Sequence, residues 1–167
     1  KSINGNPIVT NGNLSVFDYY VNNRNLTFKV NKRFLTEVEE MRLVIKNRDT
    51  NDEFSFKANI ESAKKNGEVT VNISDFLFSN HSHGTWDVYL NLHYGDLVEQ
   101  NRIGKYNEKL DETYERYGDP LIKNEDYCIA PYFTLSNELS FLVAPFENYV
   151  KYKIPGKAFV TRFKMFE

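Results

Sequence analysis

Between Leu26 and Tyr94, apolar and polar residues alternate almost without interruption. Leu26, Phe28 and Val30 alternate with Thr27, Lys29 and Asn31, and Phe54, Phe56, Ala58 and Ile60 alternate with Glu53, Ser55, Lys57 and Asn59. Val69, Val71 and Ile73 continue the pattern, followed by Trp86, Val88, Leu90, Leu92 and Tyr94. Successive side chains on a strand point to opposite faces, so each run predicts a strand with one buried face and one wet face. Several such strands at short spacing predict antiparallel sheets packed face to face around one core.

Turn signals divide the rest of the chain. Pro7 to Thr10 predicts a short strand ended by Asn11-Gly12, whose residues tolerate positive φ. Further strands are predicted over Leu14 to Tyr20, Asn25 to Lys32, Met41 to Asn47, Glu53 to Ile60, Glu68 to Ser74, Thr85 to Tyr94 and Leu97 to Lys105. Phe34 to Glu40 reads as a connection with room for one helical turn. The stretch from about 106 to 126 breaks the rhythm: it is charged and net acidic, with Leu110, Tyr114 and Tyr117 spaced as on one face of a short helix. Hairpin strands follow over Tyr127 to Thr134 and Leu139 to Ala144, with closing strands over Tyr149 to Ile154 and Ala158 to Phe166. The expected fold is an all-β, antiparallel, immunoglobulin-like sandwich with one charged insertion, a single domain over residues 1–167.

Composition narrows the function. A chain of 167 residues can bury a substantial core without staples. Its net charge of −2 gives no chain-wide attraction to nucleic acid or anionic lipid, and no nucleic-acid partner is expected. The lone Cys128 cannot form an internal disulfide, and its setting in Tyr127-Cys-Ile-Ala-Pro131 marks it as a small buried hydrophobe. No apolar run approaches the length of a membrane span, and no signal-peptide pattern opens the chain. Lys1 is not a natural start, so the chain is expected to belong to a longer protein.

Catalytic motifs are missing from the sequence. It carries no G-x-S-x-G, no P-loop and no dinucleotide fingerprint. His81 and His83 lack partners at zinc-type spacing, and Asp49 to Asp52 lacks the glycine and terminal glutamate of a calcium loop. Neither a metal nor an organic cofactor is expected. Trp86, in phase with Val88 and Leu90, is expected in the core, and Arg102 is placed to pair with Asp87 across the Gly95 hairpin.

An ordered set of motifs carries a resemblance. Gly84-Thr-Trp-Asp-Val-Tyr-Leu90, Asn101-Arg-Ile-Gly104, Pro131-Tyr-Phe-Thr134 and Asn137-Glu-Leu-Ser-Phe-Leu-Val143 together resemble the C-terminal β-sandwich modules of Gram-positive wall teichoic acid glycosyltransferases. The likeness covers roughly residues 14 to 145. It implies a non-catalytic accessory module serving oligomerisation, acceptor-polymer binding or both, with the catalytic domain upstream. It also implies a homo-oligomer, with a trimer among the options, located in the cytoplasm at the inner face of the membrane through the parent enzyme. The partner would be teichoic acid or another wall polysaccharide.

A reading from a different class is a free-standing carbohydrate-binding or adhesion domain of the bacterial surface. Outward Tyr19, Tyr89 and Tyr149 would then stack on sugar rings, whose apolar faces suit aromatic packing. For an anionic polymer, the candidate contacts are Lys151 and Lys153 on one strand face, with Arg162 and Lys164 on the next.

Overall fold

The alternating runs do form strands. The computed structural model describes residues 24–79, 81–103, 117–136 and 138–153, with the backbone alone for 2–3, 6–10, 16–22 and Lys153. In chain order come β1 (Ser2–Ile3), β2 (Asn6–Thr10), β3 (Val16–Asn22), β4 (Asn25–Val30), a 3-10 turn (Lys32–Leu35), β5 (Glu40–Asn47) and β6 (Glu53–Ala58). Next are α1 (Ile60–Asn66), β7 (Glu68–Asn72), α2 (Ser74–Leu77), β8 (Gly84–Tyr94) and β9 (Leu97–Arg102). The chain continues through β10 (Ile122–Lys123), β11 (Cys128–Phe133), β12 (Leu139–Ala144) and α3 (Phe146–Lys153).

Two sheets face each other. The smaller has the order β3-β4-β7, all antiparallel. The larger is organised on β8, the longest strand, whose one edge pairs with β5 from Trp86 to His93. Its other edge is shared: β12 takes Gly84 to Asp87, and β9 takes Tyr89 to Tyr94. The sheet therefore forks beside β8. One branch runs through β9 to β2 and β1, the other through β12 to β11 and β10. The β2–β9 pairing is parallel, an exception to the antiparallel rule expected throughout.

The core lies between the sheets. Leu26 and Phe28 of β4 and Val69 and Val71 of β7 pack in one cluster with Leu43 and Ile45 of β5, Trp86, Val88 and Leu90 of β8, and Phe141 and Val143 of β12. Trp86, Phe28, Phe76 and Phe141 are the largest fully buried side chains, and burying each contributes about 1.5–3 kcal/mol or more. A second cluster sits on the opposite face of the large sheet, where Tyr149 and Tyr152 of α3 and Tyr117 cover Cys128, Ala130, Tyr132, Leu142 and Ala144. Parts of the outer face expected to be wet are thus enclosed, and Cys128 is buried as its setting suggests.

Several elements differ from the sequence-based expectation. The strand expected from Tyr149 is helix α3, begun when the amides of Asn148 and Tyr149 donate to the carbonyl of Pro145. The alternation of Tyr149, Lys151 and Lys153 with Val150 and Tyr152 is too short to decide a period. As a helix, the same residues bring Phe146, Tyr149 and Tyr152 to the sheet. Ile60 leaves its expected strand because the Asn59 side chain accepts from the Ser62 amide and caps α1. The helix ends at Gly67, whose φ of +73° and N–H to the Ala63 carbonyl form a left-handed cap. A Cβ there would come within 2.8 Å of the Val30 carbonyl oxygen, so glycine alone lets the chain pass so close to β4. Within the charged insertion, β10 pairs with β11 and Tyr117 bridges Tyr132. The helical face at Leu110 and Tyr114, like the closing strand at Ala158 to Phe166, falls outside the described residues.

Candidate functional site

The motif residues that carried the resemblance meet at the fork of the large sheet. Trp86 and Asp87 are consecutive on β8 and so point to opposite faces, Trp86 into the core and Asp87 outward. Yet Asp87 is only 5% exposed. Its carboxylate is held by a two-pronged guanidinium: Arg48 Nε donates to Oδ2 at 3.1 Å and Nη2 to Oδ1 at 2.8 Å. Ser140 Oγ donates to Oδ1 at 2.7 Å, and Arg102 Nη2 approaches the same oxygen at 3.3 Å. Lys46 is the direct cross-strand neighbour of Asp87. The carboxylate nevertheless takes Arg48, one turn position further on, because a planar fork satisfies both oxygens at once.

Arg102 stitches the fork itself. Where β9 leaves β8 and β12 takes its place, backbone carbonyls fall out of regular ladder pairing. Arg102 Nε donates to the Val88 carbonyl at 3.2 Å and Nη2 to the Leu139 carbonyl at 3.0 Å. Nη2 also donates to Ser140 Oγ at 3.0 Å, and Nη1 pairs with Glu138 Oε2 at 2.9 Å. The guanidinium lies over the Tyr89 ring, 5.2 Å from its centroid. Backbone bonds complete the join, from Ile103 N to the Val88 carbonyl and from Leu139 N to the Ile103 carbonyl. Above them the hydroxyls of Thr85 and Tyr132 share a hydrogen bond of 2.8 Å.

The electrostatics are those of a closed structural assembly. Arg48, Arg102, Asp87 and Glu138 balance in charge. Burial alone would raise the Asp87 carboxyl, but the bonds from Arg48 and Ser140 and the charge of Arg102 outweigh it and hold it below the usual carboxylate range. Arg48 is raised chiefly by its bond to Asp87, and the phenols of Tyr89 and Tyr132 are raised chiefly by burial. A carboxylate already engaged by four donors is poorly placed to take a proton from a substrate. The pairing of Arg102 with Asp87 follows from the hairpin register, as the sequence suggested. Arg48, Glu138 and Ser140 are additions that no single hairpin could reveal.

The structure separates the other sequence candidates. Tyr149 is buried against the sheet with its hydroxyl donating to the Gly118 carbonyl at 2.8 Å, so it is not an outward sugar contact. Tyr89 is half-buried and its ring is covered by Arg102. Tyr19 lies on β3, opposite Phe28 of β4. Lys151 is exposed on α3. Lys153 ends the same helix two residues on, where a helix turns by roughly 200°, so the two do not share the strand face expected of them. Arg162 and Lys164 lie outside the described residues. Among the described residues, no three His, Cys, Asp or Glu side chains gather as for a metal ion, and no helix is long and apolar enough to cross a membrane.

His81 turns inward. Its ring packs among Phe76, Tyr127, Trp86 and Phe54, with centroids at 5.1, 5.5, 5.6 and 6.3 Å. Nε2 lies 2.8 Å from the Phe76 carbonyl oxygen. A carbonyl can only accept, so Nε2 carries the proton, and Nδ1 is buried with no well-formed hydrogen bond among the described residues. Burial accordingly lowers the His81 pKa from its ordinary value. A lowered histidine stabilises fully above its unfolded value, and that stability drains away as pH falls through the folded value. Thermal stability should therefore drop between neutrality and about pH 5, a window in which carboxylates scarcely titrate. Melting followed by circular dichroism should show a flatter profile for His81→Phe; an unchanged profile would acquit His81.

The fold and fork define a β-sandwich domain whose larger sheet branches beside β8. Residues 16–143 match the family described as TarS beta-glycosyltransferase C-terminal domain 1, and the chain belongs to that family. It is similar in fold to the crystal structure of S. aureus TarS, with 16% identity and a TM-score of 0.53 over 80% of this chain and 25% of that one. The crystal structure of S. aureus TarS 217-571 gives 19% identity and a TM-score of 0.54, over 81% of this chain and 39% of that one. The chain thus spans well under half the length of either. A search of the curated proteins found no match.

Proposed function

We propose that this chain is a non-catalytic accessory module of a teichoic acid glycosyltransferase, and that it serves the parent enzyme by self-association and by contact with the acceptor polymer. The observation that carries this reading is the fork. The residues that run in order through the family motifs, Asp87, Arg102, Glu138 and Ser140, are taken up in holding two branches of a sheet together. Their donors and acceptors face one another, so their role is architectural. Sugar transfer belongs, on this reading, to a separate domain with its own nucleotide-sugar site, and the module meets its polymer at the inner face of the membrane through that parent.

Self-association and polymer contact reinforce each other. An acceptor made of repeating units presents many equivalent sites, and copies held together convert later contacts into intramolecular ones, raising avidity without new interactions. The decisive experiment incubates the isolated chain with nucleotide sugars and teichoic acid. No transfer is expected, whereas measurable turnover overturns the reading. Light scattering on the same sample should give a multiple of the monomer mass; a strict monomer at all concentrations removes the self-association half.

A further inference from the structure

Away from the fork, two basic dipeptides far apart in sequence meet at one corner. Lys32-Arg33 opens the 3-10 turn, and Lys64-Lys65 lies in the last turn of α1. Leu35 and Ala63, both fully buried, fix the two segments from below. The left-handed turn at Gly67 carries the chain from α1 into β7, alongside β4, where the Val30 amide donates to the Gly67 carbonyl at 2.9 Å. Lys32 Nζ then donates to the Lys65 carbonyl at 3.3 Å, which brings the two dipeptides together. Lys29, exposed on β4, precedes the corner.

Among the described residues these cations have no ion-pair partners. The ion pairs among the described residues are Arg42–Glu40, Arg48–Asp87, Arg102–Asp87 and Arg102–Glu138, and none involves the corner. The nearby carboxylates by position are Glu37 after the 3-10 turn, Glu61 in the first turn of α1, and Glu68 and Asp18, the cross-strand neighbours of Lys29 on β7 and β3. Five cations therefore stand against four carboxylates; with Lys29 flanked by Glu68 and Asp18, the excess rests on Lys32, Arg33, Lys64 and Lys65 against Glu37 and Glu61, in a chain whose net charge is −2. The dipole of α1 accounts for lysines at its C-terminal end. It does not account for Lys32 and Arg33, which come from another segment.

We infer that this corner is the docking surface for the phosphodiester backbone of the acceptor polymer, an inference that rests on the accessory-module reading. The chemistry fits a linear polyanion. Arg33 can grip one phosphate with two parallel donors, while lysines on flexible stems follow the charge along the chain as points. Such contacts release counterions from the polymer, so the affinity depends on salt rather than on sugar identity.

The test uses this chain with purified poly(glycerol phosphate), followed by calorimetry or fluorescence anisotropy. Lys64→Glu with Lys65→Glu should weaken binding at least tenfold, and adding Lys32→Ser and Arg33→Ser should abolish it. An about fourfold rise in salt should weaken wild-type binding by roughly one to two orders of magnitude if four cations engage phosphates. The control is Lys57→Glu with Lys151→Glu, which makes the same change in net charge elsewhere and should leave binding within about twofold. Equal loss in both double variants overturns the inference, as does a salt-insensitive affinity. Anionic vesicles of phosphatidylglycerol should not compete at equal phosphate; tighter binding to vesicles than to polymer would make the corner a membrane contact instead. Inorganic phosphate should compete only weakly, since it offers one charge centre at a time. Circular dichroism of each variant separates lost binding from lost folding. Absence of polymer binding sinks the corner alone, whereas sugar transfer by the isolated chain sinks the accessory-module reading beneath it.

Discussion

Replacing Asp87 by Ala should lower the unfolding free energy by about 3 kcal/mol, among the largest losses that one polar substitution can produce in this domain. The side chain is 7% exposed, and three donor groups converge on it: the guanidiniums of Arg48 and Arg102 and the hydroxyl of Ser140. Removing it strands those donors beside a buried seam. The cost stays toward the lower end for a broken buried pair because the Arg48 side chain is 44% exposed and water recovers part of its charge. Arg102 is 23% exposed and also bonds the Val88 and Leu139 carbonyls, so Arg102→Ala should cost more than Arg48→Ala. Urea unfolding of the three variants gives the order directly. A loss below about 1 kcal/mol for Asp87→Ala, or Arg48 exceeding Arg102, would show that the fork does not depend on this cluster. The sign with pH follows from the lowered Asp87 carboxyl: its contribution is present above the ordinary aspartate pKa and is lost as pH falls through the folded value.

How far the fork could be read beforehand depends on how its parts are spaced. The Asp87–Arg102 pair lies within one hairpin, β8 to β9, so strand register alone brings the two side chains to the same face. Arg48 follows β5 in what the sequence shows only as a turn, and Ser140 and Glu138 arrive from a strand more than fifty positions after Asp87. Their meeting depends on β12 taking over the edge of β8 that β9 leaves, a branching that hydrophobic periodicity does not encode. Periodicity reports which residues share a face; it is silent on which face a further layer will cover. Thr85, Asp87 and Asn91 sit at wet positions by pattern and are buried in the structure.

The basic surface shows the same limit from the other side. Lys151 and Lys153 look like neighbours on one face only if their segment is a strand. The helix begun at Pro145 separates them and turns Tyr149 into the sheet. Lys32-Arg33 and Lys64-Lys65 are unremarkable dipeptides until Gly67 closes the turn that sets them side by side. A glycine after two lysines at the end of a helical stretch is the sequence signal that was available. The strand reading of Glu53 to Ile60 obscured it, since α1 is only seven residues long and a helix so short carries little periodicity.

Trp86→Ala should cost about 3–5 kcal/mol, the range for deleting a large aromatic from a core that cannot collapse around the gap. Trp86 is 1% exposed and lies within ring contact of Phe76, His81 and Phe54, with centroids at 5.5, 5.6 and 5.8 Å. Its indole Nε1 donates to the Ser82 carbonyl at 2.9 Å, which fastens the Ser82-His83 loop to the start of β8. Removing the ring therefore opens a void and frees that loop together. Trp86→Phe keeps most of the volume and loses chiefly the indole bond, so it should cost only about 1–2 kcal/mol. Trp86 is the chain's one tryptophan, so fluorescence reports wild-type unfolding, while far-ultraviolet circular dichroism is needed to follow both variants on the same footing. The expected order is wild type, then Phe, then Ala, with a clear gap between the last two. If Phe and Ala unfold at the same urea concentration, the hydrogen bond outweighs the packing, and Trp86 holds the loop rather than the core.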